Sequence, residues 1–265
     1  MKPLVDLDAD TCARIDVVMT DIDDTLTSDG RLEAAAYAAM ERLAAAGIRV
    51  VPVTGRPAGW CDMIARFWPV AAVVGENGAF YYRYDRALRR MLRVHALPDA
   101  EFADNRRRLH ELAATILAAV PGAALAADQH FRIADLAIDY CEDVPPLAAA
   151  DVDRILRLFR DAGAIAKVSS IHVNGWFGAY DKLQTSRRLL ADAFGLSVEA
   201  QARRVLFVGD SPNDEPMFAA VPLSVGVANV LDHAARIAHL PAFVTPGRSG
   251  RGFVELADHV LSARR

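Results

Sequence analysis

The stretch "VVMTDIDDTLTSDG", Val17–Gly30, ends an apolar run in Asp21, Asp23 and Asp24, with Asp29 close behind. Carboxylates this crowded repel one another, and partial burial strengthens the repulsion. A solvated loop tolerates such crowding. An apolar strand that delivers the acids to one place points instead to a cation between them. Three other segments are compact, polar and glycine-punctuated: Thr54-Gly55-Arg56, Gly75-Glu76-Asn77-Gly78 and Gly209-Asp210-Ser211-Pro212-Asn213-Asp214. A lone lysine, Lys182, precedes the last of them. Taken singly, each has a plain explanation. An Asp at a strand end often caps a helix, Thr54 suits a turn, Asn77-Gly78 makes a good turn, and an isolated lysine usually sits on the surface.

The elements that must position these segments read as follows. Ile15–Met19 is short, mostly apolar and β-branched, which suits a buried strand. Leu32–Ala46 is an Ala-rich helix stopped by Gly47. Arg49–Val53 is the next strand, although Pro52 counts against a central position. Ala58–Phe67 is a helix, and Ala71–Val74 a third strand. Strand, helix, strand, helix, strand implies a parallel sheet with right-handed crossovers. The pattern returns with a helix over Thr185–Phe194, strands at Val205–Val208, Leu223–Val227 and Phe243–Val244, and a closing helix over Phe253–Ala263. The two ends of the chain therefore predict one doubly wound, Rossmann-like α/β core, residues 1–84 and 179–265. Between them, Ala100–Val120 and Leu147–Ala162 read as helices. His130–Arg132, Leu136–Tyr140, Ile165–Val168 and Ile171–Trp176 read as strands, the last two a hairpin around Ser169-Ser170. Residues 85–178 thus read as an inserted α+β module. Ligands of open parallel sheets bind beyond the carboxyl ends of the strands, and all four polar segments stand there.

Composition narrows the classes further. The 265 residues are 53% hydrophobic, enough for a packed core, and carry a net charge of -4. That charge argues against a nucleic-acid binder, and the short clusters Arg106-Arg107-Arg108 and Arg203-Arg204 read as solvated helix faces. Cys12, Cys61 and Cys141 form no CxxC pair and suggest a reducing compartment without zinc. The opening residues "MKPLVDLDAD" lack an apolar signal core. No segment has the roughly 18 apolar residues of a membrane span. The expectation is a cytoplasmic protein that binds neither nucleic acid nor membrane.

"DIDDT" (Asp21–Thr25), "VTGRP" (Val53–Pro57), Lys182 and "GDSPND" (Gly209–Asp214) together resemble, in order, the four motifs of the haloacid dehalogenase superfamily. An insert after the third strand, with "ENGA" (Glu76–Ala79) before it, resembles the type II branch, which includes Cof-like and sucrose-phosphate phosphatases. Asp24 and Leu183 stand where many relatives have glycine. The resemblance implies a Mg2+-dependent phosphatase of a small phosphorylated metabolite, most plausibly a sugar phosphate. It implies Asp21 as the nucleophile that forms an aspartyl-phosphate and Asp23 as acid and base at the leaving oxygen. Thr54 and Lys182 would hold phosphoryl oxygens. Mg2+ would be bound by Asp21, the Asp23 backbone carbonyl and Asp210, with Asp214 beside it. Asn213 would orient Lys182 or the metal's surroundings, Thr25 would brace the loop, and Gly55, Arg56 and Asn77 would face substrate.

The insert is expected to set specificity, because the core reads only phosphate. His172, Asn174 and Trp176 alternate on its last strand and share one face. Asn and His can bind hydroxyls, and Trp can stack on a sugar, while Trp176 with Phe177 can equally pack a hinge. Arg86, Arg89, Arg90 and Arg93 read as a solvated face that could also greet a second anionic group. A phosphomutase on the same scaffold, an idle binding protein and a receiver-like signalling domain are the rival classes. The full set of motif residues weighs against the second, and the insert against the third.

Overall fold

The structure is a computed structural model that describes residues 1–169 and 171–264, so Ser170 at the expected hairpin turn lies outside the described residues. Six parallel strands form the main sheet. Their spatial order is Lys2–Pro3, Phe243–Val244, Leu223–Gly226, Val205–Gly209, Val17–Thr20 and Arg49–Pro52. A single parallel bridge, Val53 to Val74, carries the order on to Val73–Gly75. Alternate strand residues point to opposite faces, and here both faces are apolar. Val17, Met19 and Phe207 pack with Leu189, Leu190 and Phe218 on one side. Val18, Leu206 and Val208 pack with Met40, Phe253 and Leu256 on the other. That is why these strands read as unbroken apolar runs. The fold class expected from the sequence, a doubly wound α/β sheet, is the one observed.

Pro52 fits because of which way its nitrogen faces. Arg49 and Val53 donate their N–H groups to Asp16 and Thr20, on the Val17–Thr20 side. The alternation turns residues 50 and 52 the other way, and there pairing is reduced to Ala71 N to Val50 O and the one bridge. A missing N–H at Pro52 therefore forfeits no ladder bond of the main sheet. Helix bounds shift slightly from expectation: the first crossover helix is Ala34–Ala45, and the residues before it form a small hairpin of Thr27–Ser28 with Arg31–Leu32.

One element is new and one expectation is corrected. Val73–Gly75 opens an antiparallel meander with Phe80–Asp85 and Arg90–His95, a hairpin not read from the sequence. Its arginines hid the strand pattern, and it straddles the expected insert border at residue 85. His130–Arg132 is not a strand. Gln129–Phe131 is a 3-10 turn, with Arg132 N donating to Gln129 O. The guanidinium of Arg132 is drawn instead onto Asp128 and Asp135.

The insert forms a four-stranded antiparallel sheet in the order Ile165–Val168, His172–Trp176, Asp135–Asp139, Ala124–Leu125. Leu136, Ile138 and Val173 on one face pack with Ile116, Ile155 and Phe159 of the helices Asp99–Ala119 and Ala149–Asp161. The other face carries Asp135, Asp139, His172, Asn174 and Trp176, in cross-strand register. These polar residues are buried as well. A polar sheet face stays buried only against a polar partner, and that partner is the carboxyl-end rim of the main sheet.

Candidate active site

The main sheet brings the expected residues to one rim. Asp21 follows the Val17–Thr20 strand, its N–H bound to Val208 O at 2.9 Å. Lys182 begins the helix Lys182–Phe194, capped by Asp181, whose side chain accepts from Gln184 N. Its ammonium donates to Asp21 Oδ1 at 2.8 Å and Asp214 Oδ1 at 2.9 Å. Asp214 Oδ2 accepts from the backbone N–H of Asp210 and, more loosely, Ser211. Asp214, rather than Asn213, thus positions Lys182. Asn213 Oδ1 accepts from Ser211 Oγ at 2.8 Å. Thr25 braces the rim as expected, donating to Asp210 Oδ1 at 2.9 Å. Thr54 Oγ1 accepts from Arg56 N at 3.0 Å.

One carboxylate oxygen each from Asp21, Asp210 and Asp214 lie within 4.8 Å of one another, and all three residues are buried. Burial raises Asp21 to about 7, despite Lys182 beside it, and Asp214 and Asp23 push the same way. Asp210 is pushed well above the carboxylate range by burial and by Asp214 and Asp21. Lys182 is held above its ordinary value by the two carboxylates it binds, which outweigh its burial. Three carboxylates and one ammonium leave two uncompensated negative charges when ionised. An all-oxygen set of this kind suits a hard divalent cation.

Asp23 stands outside this triad, although its charge still raises Asp21. Its carboxylate is gripped by Arg56, with Nε at 3.1 Å from both oxygens and Nη2 at 2.8 Å from Oδ1. Arg56 also reaches the insert, at Glu142 Oε1 (2.9 Å) and Asp128 Oδ2 (3.5 Å). Arg132 answers from the insert, donating to Gly55 O at 2.8 Å while paired with Asp128 and Asp135. Asp135 Oδ2 receives Asn174 Nδ2 at 3.0 Å and Asn77 Nδ2 at 3.4 Å. His172 Nε2 lies 2.8 Å from Glu142 Oε2. A narrow cavity separates the two sides, lined by Asp21, Asp23, Gly55, Arg56 and Asn213 below and by Arg132, His172 and Asn174 above. Asn77 lies behind Gly55, where a Cβ would meet its Nδ2 at 3.3 Å. Trp176 is elsewhere: it stacks on Tyr180 and donates to Tyr180 O at 3.2 Å, a hinge-packing contact.

Residues given no role from the sequence complete the rim. Glu76, fully buried, accepts from the backbone N–H groups of Ala58, Ile133, Ala134 and Asp135, stitching core to insert. Asn229 donates to Asp210 Oδ2 and Asp24 O. The signal for Asn229 was present, since it follows the carboxyl end of Leu223–Gly226 as the other segments follow their strands. Asp135 was also findable: it alternates with Leu136 and Ile138 in "DLAID". Arg132 and Asp128 carry no such signal.

The sequence model of the haloacid dehalogenase-like hydrolases matches residues 18–116. Phosphoglycolate phosphatase of Pyrobaculum neutrophilum is 30% identical over 256 residues, covering 93% of this chain and 96% of that protein. Among solved structures, a Thermoplasma acidophilum protein superposes with a TM-score of 0.69 at 19% identity, covering 93% of this chain and 98% of the other. Sucrose-phosphatase from Synechocystis, solved with sucrose and phosphate, gives 0.63 at 14%, with 93% and 98% covered. At these identities the structures speak for the fold. The chain belongs to the haloacid dehalogenase-like hydrolase family. No helix among the described residues is long and apolar enough to cross a membrane.

Proposed function

We propose that this protein is a Mg2+-dependent phosphatase of a compact phosphomonoester, acting through an aspartyl-phosphate on Asp21. The observation that carries the proposal is the triad of buried carboxylates around Lys182 at the strand ends. Asp21, Asp210 and the Asp23 backbone carbonyl would hold Mg2+, with Asp214 beside them, and the ion supplies the positive charge a dianionic ester needs near a carboxylate nucleophile. Asp21 attacks phosphorus and the leaving oxygen departs as an alcohol. Lys182 and the Thr54 hydroxyl donate to phosphoryl oxygens. Asp23 gives the leaving group its proton and takes one from the hydrolytic water. A carboxylate gripped by a guanidinium is an acceptor, so this proton traffic requires Arg56 to loosen its hold when substrate arrives.

The insert, which we place over residues 85–178 from the sequence, acts as the cap that reads the leaving group. Sugar phosphates are one candidate class, named for structural neighbours such as sucrose-phosphatase. Phosphoglycolate, named for the full-length relative, is a second, and the cavity favours it. The space is small, Trp176 is not free to stack on a sugar, and Arg56, Arg132 and His172 all border it.

Hydrolysis of an aryl phosphate with Mg2+, with chelator, and with Ca2+ tests the reading. Activity should vanish on chelation and return better with Mg2+. The larger Ca2+ takes more oxygens and draws both oxygens of Asp21 into coordination, which misaligns the attacking one. Equal rates with both ions would sink this geometry. Free phosphate against isomerised product separates phosphatase from phosphomutase.

A further inference from the structure

Arg56 holds three carboxylates, and they are not equivalent. Asp23 is gripped through two nitrogens and Asp128 is almost wholly buried, whereas the Glu142 side chain is 29% exposed. Glu142 spans two basic groups at once: Oε1 lies 2.9 Å from Arg56 Nη2 and Oε2 lies 2.8 Å from His172 Nε2. Both basic groups line the cavity that contains Asp21. The backbone around Glu142 is pinned, because the Asp139 carboxylate accepts from the N–H groups of Cys141, Glu142 and Asp143. The side chain can therefore turn outward to solvent while its loop stays in place. If it does, Arg56 keeps Asp128 and, until substrate arrives, Asp23, but the buried His172 is left facing the cavity without its carboxylate. Such a group favours a replacement carboxylate over water.

We propose that Arg56 and His172 form a receptor for a carboxylate on the substrate, and that Glu142 occupies this receptor in the free protein and must swing out for an acidic phosphoester to bind. This deepens the phosphatase reading and rests on it for the reaction, though not for binding. An exchange of one carboxylate for another leaves the local charge unchanged, so an acidic substrate completes it at little electrostatic cost. A neutral leaving group has nothing to offer Arg56 and His172, and Glu142 stays between them. Glu142 is thus an internal competitor that selects for acids strong enough to displace it.

The test is Glu142→Gln, read in two ways. Calorimetry of phosphoglycolate binding should show about tenfold tighter association in the variant, because a neutral amide holds Arg56 and His172 less firmly than a carboxylate does. In turnover, the ratio of kcat/KM for phosphoglycolate to that for an aryl phosphate should rise by a similar factor, mainly through KM. Equal or weaker binding in the variant overturns the proposal. So does a ratio that stays fixed while both rates fall, which would make Glu142 a latch between core and insert. If the wild type hydrolyses aryl phosphate but neither protein binds phosphoglycolate, the carboxylate receptor fails while the phosphatase stands. If no phosphoester is hydrolysed at all, the phosphatase reading fails and the calorimetry alone decides the receptor.

Discussion

Asp21 is held between two demands: it must be buried to be positioned, and burial favours the proton over the charge. Its shift to about 7 against an ordinary value of 3.8 expresses that conflict. The group is raised, so its protonated form stabilises the fold. That contribution is complete below the ordinary value and is lost as pH rises toward 7. Asp210 is raised for the same reason and adds to the effect. In chelator, the melting temperature should therefore fall between pH 5 and pH 8, and Mg2+ should restore it most at the higher pH, where its ligands are already deprotonated. A melting temperature that is flat or rises across this range without metal contradicts the argument. Asp21→Asn removes the charge of the proposed nucleophile and keeps its shape. Turnover of any phosphoester should drop by about a thousandfold or more, with the cooperative melt retained. At this scale the sequence was informative where chemistry crowds residues locally: Asp21, Asp210, Asp214 and Lys182 were all singled out and do converge. It was silent on Arg56 to Glu142 and Arg56 to Asp128, pairs separated by 86 and 72 residues, because nothing local marks which charge will meet which.

At the scale of elements, the turn Glu76-Asn77-Gly78 joins the two halves of the site. All three residues have positive φ, at 42°, 56° and 104°. Two non-glycine residues in that region carry strain. The four N–H groups received by the Glu76 carboxylate offset it. Gly78 lies against the start of the Lys182 helix: a Cβ there would stand 2.1 Å from Asp181 O. Gly78 O also accepts from Thr185 Oγ1 at 2.5 Å. Gly78→Ala should push Asp181 and Lys182 away from Asp21, lowering kcat at least about tenfold and lowering the melting temperature. Gly163→Ala is the matched comparison. It has φ of 76° but open space around it, so it should cost only the left-handed strain, about 1–2 kcal/mol by denaturant titration, with kcat kept. If Gly78→Ala behaves like Gly163→Ala, the turn does not position the lysine. Elements with a clean period or a clear stop were legible, such as the helix Ala58–Phe67 and the αL glycine, Gly195, after Phe194. The Phe80–His95 hairpin was not, because Phe80 and Tyr82 pack on one face and Tyr81 on the other, and arginines break the pattern of the rest. A strand buried on both sides shows no alternation to read.

At the scale of the molecule, the insert lays a polar sheet face over a polar rim, and the two are tied there by Arg56, Arg132, Glu76 and Asn77, beside an apolar patch in which Phe102, Ala134 and Trp176 join the core cluster. The polar part of this contact can part and re-form with little change in apolar burial, which suits the cap we propose. On the proposed reading the two sides divide the labour, and the division can be measured. Asp210→Asn, on the core side, damages the site that handles phosphate, so kcat/KM should fall by a common factor for every phosphoester. Asn174→Ser, on the insert side, keeps a small polar group but shortens the reach to Asp135 and the cavity. It should change the ratio of kcat/KM between two leaving groups by about ten- to hundredfold, the worth of one or two hydrogen bonds. Trp176→Phe keeps an aromatic ring beside Tyr180 and loses the bond to its carbonyl. That variant should melt lower while preserving the ratio, since the indole supports the hinge and does not meet the leaving group. Should Trp176→Phe shift the ratio while Asn174→Ser leaves it fixed, the reader of the leaving group would be the hinge, and the polar face over the rim would be only its seal.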